Sequence, residues 1–317
     1  MSGKQKLCSN YLSITLKKLC VVSMIGILLY MCYIFENTSS DEIQKKLPGV
    51  IIIGVQKCGT GALKEFMMIH PNLKGLEYEC HFFDQVRNRT RGGPPIDHAK
   101  PFEEEMKRYL ERFPVSFENE TVFEKTPAYF DRADPYDIYR MNPALKLILL
   151  VCDPVRRVIS EYLMDKFQFG KHRNKTFEDY IFDVTGNIRE NLQEIQRSKY
   201  NAPLQRYLKV FPRKQILILD SVYLMRQPTK AMQDVETYLG INKFYTDNTF
   251  YFNEDIGYYC INPLIQPLYA GCMNKGKYRT HPNISTKNLM KLKQYFHPFN
   301  ERFMKIAGVK ISSLMYF

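Results

Sequence analysis

The run from Leu47 to Phe66, LPGVIIIGVQKCGTGALKEF, constrains this chain more than any other stretch. Four apolar β-formers, Val50 to Ile53, read as a short buried strand, Gly54 to Gly61 as a tight loop and Ala62 to Met68 as the helix that follows. A strand, a glycine loop and a helix make an anion site, because loop amides and a helix N-terminus both aim donors at whatever sits there. Lys57 adds a full positive charge, so phosphate is the expected occupant. A triphosphatase loop reads G-x-x-x-x-G-K-[ST], with the lysine after the second glycine. Gly54 and Gly59 have that spacing, yet Thr60 follows directly and the lysine lies inside the loop. The pattern therefore disfavours a standard ATPase or kinase.

Further strands and helices follow in alternation. Residues 119–130 contain a short strand running into Lys125-Thr126-Pro127, where the proline ends pairing and leaves Lys125 at the strand end. Leu145 to Val151 is a near-continuous apolar run of the kind covered on both faces in a parallel sheet. Cys152-Asp153-Pro154 then opens a helix that carries Ser160. Gln215 to Leu219 is a fourth core strand, and a helix over Thr229 to Leu239 is closed by Gly240. This order predicts an α/β domain with a mostly parallel central sheet, whose ligands gather where strands end and helices begin.

The N-terminus sets the expected compartment. Leu19 to Phe35 is uncharged over 17 residues, at the lower edge of what spans a bilayer. Lys4, Lys6, Lys17 and Lys18 precede it, and Glu36, Asp41 and Glu42 follow, so the positive-inside rule places the N-terminus in the cytosol. Bulky Tyr30, Tyr33 and Phe35 favour an uncleaved anchor over a secretory signal. The expected organisation is a cytoplasmic tail at 1–18, an anchor at 19–35, a short stem at 36–46 and a lumenal domain at 47–317. Five N-x-[ST] sequons, at Asn37, Asn88, Asn119, Asn174 and Asn283, all fall after the hydrophobic stretch.

Of eight cysteines, five lie in that domain. Cys260 and Cys272 bracket a short Pro- and Tyr-containing loop and are the best disulfide candidates, a link contributing about 3 kcal/mol by loop entropy. Cys58, Cys80 and Cys152 are expected as free thiols, although Cys58 and Cys152 can approach at adjacent strand ends. No CxxC or histidine cluster indicates zinc, and no structural metal is expected. The first 36 residues hold four lysines and one glutamate of the chain's 45 basic and 33 acidic residues, which leaves 41 against 32. A basic domain behind a membrane meets acidic lipids or sulfated polysaccharides, while nucleic acid is absent there.

Glu77-Tyr78-Glu79-Cys80-His81-Phe82-Phe83-Asp84 supplies the acid–base chemistry. Alternation in an extended segment predicts Glu79 and His81 on one face and Cys80 on the other. A carboxylate so placed, tuned by a histidine or lysine, can take a proton from a hydroxyl.

In this order, the motifs LPGVIIIGVQKCGTGAL, ECHFFD, FEKTPAYF, D-P-x-x-R-x-x-S from Asp153 to Ser160, FPRKQILILDSVYL, YFNEDIGYYC and YFHPFNERF make residues 47 to 308 resemble the heparan sulfate glucosamine 3-O-sulfotransferases. The resemblance implies a P-loop-like α/β sulfotransferase fold, a Golgi type II membrane protein and the donor 3′-phosphoadenosine 5′-phosphosulfate, with no metal required. It implies that Lys57, Cys58, Gly59, Thr60 and Gly61 hold the donor's 5′-phosphosulfate and that the Cys152 and Ser160 positions hold its 3′-phosphate. Tyr259, Lys275, Gly276, Lys277, Arg279 and Thr280 fall in the family's later donor-binding segment, beside the Cys260–Cys272 link. Glu79 matches the catalytic base, which deprotonates the 3-hydroxyl of a glucosamine unit in heparan sulfate. His81 and Asp84 orient base and substrate, while Lys57 and Lys125 stabilise the transferring group.

Two positions depart from the family pattern, which has arginine where Gly61 and Cys152 stand, and Lys277-Tyr278 is inserted before Arg279. Arg156, one helical turn before Ser160, is expected to replace the lost phosphate contact. Rival readings keep the fold but move the sulfated position, or reduce the protein to a non-catalytic heparan-binding relative with a decayed donor site.

Overall fold

The computed structural model describes residues 43–84, 93–267, 271–272 and 281–316. The chain parts after Gln44, and everything below belongs to the unit Lys45–Phe317. The expected anchor at 19–35 lies outside the described residues, among which no helix is long and apolar enough to cross a membrane.

The opening run folds as its pattern requires: strand β1 (Val50–Gly54) is buried along its whole length and leads through a five-residue turn into helix α1 (Thr60–Met68). Strand β2 (Leu73–Gly75) follows, then α2 (Phe102–Leu110), β3 (Thr121–Lys125), α3 (Tyr129–Arg132), α4 (Pro135–Met141) and β4 (Lys146–Val151). The second half comprises α5 (Pro154–Gln168), α6 (Phe177–Ile181), α7 (Gln193–Gln196), α8 (Asn201–Leu208), β5 (Ile216–Asp220), α9 (Ser221–Arg226) and α10 (Pro228–Leu239). A hairpin of β6 (Phe250–Asn253) and β7 (Tyr258–Ile261) precedes the long helix α11 (Thr286–Ala307).

Five strands form one parallel sheet in the order β2-β3-β1-β4-β5. The expected α/β architecture is therefore observed. Alternation along β1 and β4 sends Ile51, Ile53, Leu147 and Leu149 to one face, against Tyr200, which precedes α8, Leu204 and Tyr207 of α8 and Phe303 of α11. Val50, Ile52, Ile148 and Leu150 line the other, against Leu63 and Met67 of α1 and Met232 and Val235 of α10. Helices on both faces explain why these strands read as unbroken apolar runs. Burying each such side chain contributes roughly 1.5–3 kcal/mol, so the central strands are the rigid part of the scaffold.

The order also fixes where function can sit. The chain leaves β1 outward to β2, returns to β3, then crosses β1 to β4 and β5, so the strand order reverses around β1. Ligand sites in open parallel sheets lie at the C-terminal strand ends beside such a reversal. Gly54, Lys125, Val151 and Gly75 all occupy that edge.

Candidate active site

The loop after β1 is shaped by backbone crowding before any ligand is considered. A Cβ on Gly54 would lie 2.7 Å from Phe130 Cβ and 3.1 Å from Leu149 Cδ1, so only glycine lets the strand end pack there. Val55 N–H donates to the Leu150 carbonyl (2.8 Å) and Cys58 N–H to that of Val55 (3.1 Å), which closes a tight turn. Lys57 (φ 76°) and Gly59 (φ 93°) are left-handed, and Gly59 begins α1 with no side chain capping the helix. Lys57 is half-buried, Thr60 buried and Gly61 half-buried at this helix start. A helix N-terminus without a side-chain cap, with a lysine in the turn just before it, suits an anionic group.

The expectation of free thiols at Cys58 and Cys152 is overturned: the two form a disulfide, with Cα atoms 5.2 Å apart. The reason lies in the topology. β1 and β4 are parallel neighbours, so the residues just past their ends meet across one strand spacing. Tyr200 covers the link, its hydroxyl 3.7 Å from Cys58 Sγ and donating to the Cys152 carbonyl (3.2 Å). Cys80 stays a thiol, which burial pushes well above the ordinary thiol range.

Helix α5 begins beside that link. Asp153 caps it, accepting from Val155 N–H (2.8 Å). Arg156 is exposed in the first turn and Ser160 half-buried one turn on, on the same helix face. The arginine of the D-P-x-x-R-x-x-S pattern, Arg157, points the other way into the protein, paired with Glu161 (2.6 Å) and donating to the Glu194 carbonyl and Ser198 Oγ, each at 2.9 Å.

The acid–base residues meet, though not as an extended segment. His81 is left-handed at φ 50°, so the chain turns rather than alternates, and Cys80 is buried beneath the turn. The turn brings His81 Nε2 to 3.0 Å from Glu79 Oε2 and His81 Nδ1 to 2.5 Å from Asp84 Oδ2. The imidazole thus bridges the two carboxylates through its two ring nitrogens. Lys125 at the end of β3 donates to Glu79 Oε1 (2.6 Å). Burial opposes the charge on Glu79, but the His81 hydrogen bond and the Lys125 ammonium outweigh it and hold the carboxyl down to about 2. Glu79 is thus ionised throughout the neutral range.

Cys260 and Cys272 are linked as expected, with Gly271 bridging back to Ile261 of β7. Tyr259 is half-buried on β7, its ring edge-on to Phe252 at 5.2 Å. Lys275, Gly276, Lys277, Arg279 and Thr280 lie outside the described residues, as do Asn37 and Asn88, while Asn119, Asn174 and Asn283 are exposed. One grouping among the described residues has ligand chemistry for a metal: Asp165, His172 and Glu194 bring ligand atoms within 4.8 Å of one another. Protein partners already engage its carboxylates, Lys171 at 3.1 Å on Asp165 and Tyr180 at 3.0 Å on Glu194.

Sequence reasoning missed two features. Arg197 of the loop after α7 forks onto Asp131 (2.6 and 2.9 Å), reaches Glu161 (3.0 Å) and donates to the Gln56 side chain, tying the loop after β1 to α3 and α5. No local motif marks it, since its partners come from three distant segments. The other is Thr126, whose hydroxyl lies under the His81 turn.

A family model for the sulfotransferase domain matches residues 47–306. Heparan sulfate glucosamine 3-O-sulfotransferase 5 of Mus musculus is 34% identical over 279 residues, covering 86% of this chain and 76% of that protein. The human heparan sulfate glucosamine 3-O-sulfotransferase 3A1 is 33% identical over 272 residues, 84% of this chain and 63% of that one. Among solved structures, a sulfotransferase from Alicyclobacillus acidocaldarius superposes with a TM-score of 0.61 at 17% identity, covering 85% of this chain and 99% of that one, which shows a shared fold. With the strand-end site these matches make the chain an enzyme of the sulfotransferase family, a member of its heparan sulfate glucosamine 3-O-sulfotransferase group.

Proposed function

We propose that this enzyme transfers a sulfuryl group from 3′-phosphoadenosine 5′-phosphosulfate to the 3-hydroxyl of glucosamine units in heparan sulfate, as a Golgi type II membrane protein. The observation that carries the reading is the Glu79 carboxylate held between Lys125 and His81 at the same sheet edge as the Lys57 loop. The names of the relatives supply the acceptor and its position. The donor supplies an activated sulfuryl group on a phosphate leaving group. The uncapped start of α1 and Lys57 suit its 5′ end, and Ser160 with Arg156 its 3′-phosphate.

Glu79 accepts the proton from the attacking hydroxyl. A carboxylate held at about 2 is a weak base, so the arrangement works only if Lys125 is shared. As charge builds on the transferring group, Lys125 is drawn toward it, its hold on Glu79 weakens, and the carboxylate gains proton affinity just as the hydroxyl loses its proton. His81, anchored by Asp84, keeps the carboxylate oriented throughout.

Incubating the full chain with radiolabelled donor and heparan sulfate, followed by disaccharide analysis, tests this directly. We expect 3-O-sulfated glucosamine as product and a kcat lower by about 10²- to 10⁴-fold in Glu79→Gln with the fold retained. Sulfate at another position would assign a different specificity. Heparan binding without donor-dependent incorporation would replace the enzyme reading by that of a binding protein.

A further inference from the structure

Glu124 is the one carboxylate on β3 that faces inward, fully buried one residue before Lys125. Three hydroxyls surround it. Tyr109 of α2 donates to Oε1, Thr126 Oγ1 donates to Oε2 at 3.0 Å, and the Tyr129 hydroxyl of α3 also hydrogen-bonds its carboxylate. Arg112 is the nearby cation, and Tyr78 and Cys80 face the same pocket. Thr126 spends its single proton on Glu124, so both lone pairs of Oγ1 point toward the turn that holds the base. They accept the N–H of Cys80 (2.9 Å) and of His81 (3.4 Å).

That is the point where the backbone needs support, since His81 is a non-glycine residue at φ 50°. We infer that Glu124, acting through the Thr126 hydroxyl, is the positioning residue that holds the His81 turn, and with it the orientation of the Glu79 carboxylate toward the acceptor hydroxyl. The inference rests on Glu79 being the base.

The relay is polar in one direction. While Glu124 is ionised it only accepts, so Thr126 donates downward and receives both amides from above. When Glu124 is protonated it must donate to one of its hydroxyl neighbours, and a proton turned toward Thr126 displaces an amide from Oγ1. Burial lifts the Glu124 carboxyl to about 7, against the hydroxyl donors that favour its charge, so this exchange falls in the neutral range where Glu79 itself does not titrate. Turnover is therefore expected to fall on the acid side of neutrality for a reason that lies beneath the site.

The test compares full-length wild type with Thr126→Val, Thr126→Ser and Glu124→Gln, measuring kcat and KM for both substrates from pH 5.5 to 8.5 and hydrogen exchange at the Cys80 and His81 amides. Thr126→Val keeps the shape and loses the hydroxyl. We expect its kcat to fall about 30- to 100-fold with KM changed less than about threefold, because misorienting a reacting group costs that much. Thr126→Ser should recover to within about threefold of wild type by keeping the hydrogen bonds. Glu124→Gln should lose the acid limb near neutrality. Protection of the two amides should follow the hydroxyl, present in wild type and Thr126→Ser and lost in Thr126→Val. An unchanged kcat in Thr126→Val, or amides equally protected in all variants, overturns the relay. If wild type transfers no sulfuryl group, the assigned reaction fails, and the exchange data alone still decide whether the hydroxyl holds the turn.

Discussion

Glu124 and Arg156 make opposite demands of solvent, and each has a measurable consequence. Glu124 has a folded-state pKa raised from 4.5 to about 7, so the fold favours its neutral form. Its contribution to stability is complete below pH 4.5 and lost as pH rises through about 7; a shift of this size corresponds to about 3 kcal/mol. Chemical denaturation of wild type against Glu124→Gln, which stays neutral, should show the difference in unfolding free energy declining by about that amount between pH 5 and 8. A difference independent of pH would remove the burial argument. Arg156 stands exposed one turn from Ser160, at the start of the helix that follows Cys152. Arg156→Ala should weaken donor binding by about 10- to 100-fold, the range for one charge-assisted hydrogen bond, as read by calorimetry with the desulfated donor product. Unchanged affinity would leave the 3′-phosphate to other residues.

The strands explain what could be read beforehand and what could not. β1, β4 and β5 are buried on both faces, so their sequences are continuous apolar runs that announce themselves. β2 is three residues, Leu73-Lys74-Gly75, at the sheet edge, with only Leu73 buried, and carries no such signal. Lys57, Glu79 and Lys125 were recognisable because their types and their places after strands suggest chemistry. The left-handed His81 turn was not, because its support comes from Thr126, 45 residues away, and alternation alone predicts an extended segment. The pairing of Cys58 with Cys152 likewise depends on β1 lying beside β4, a fact of topology rather than of spacing. Tying those two ends over a separation of 94 residues should stabilise the domain by about 4 to 5 kcal/mol in the loop-entropy model. The double variant Cys58→Ala/Cys152→Ala should lose that much in denaturant titration. A loss below 1 kcal/mol would show that the folded scaffold already holds the loop in place without the bond.

The molecule as a whole is basic, with 45 lysines and arginines against 33 acidic residues. A grip on a polyanion made of such charges is screened over a Debye length of about 8 Å at physiological ionic strength, so heparan affinity should fall steeply between 50 and 500 mM salt while the packed sheet is unaffected. A salt-insensitive affinity would point instead to a few buried contacts. Asn119, Asn174 and Asn283 are all exposed, so attached glycans would meet no packed side chains.

The Cys58–Cys152 link also turns the chain from a line into a lariat, with β2, β3 and β4 inside the ring and β5 outside it. A ring cannot close before its last residue exists. The loop assigned to the donor is therefore completed only once synthesis has passed residue 152 and an oxidant has been met. Protein made in a reducing compartment would carry the same sheet with that loop joined to it at one end.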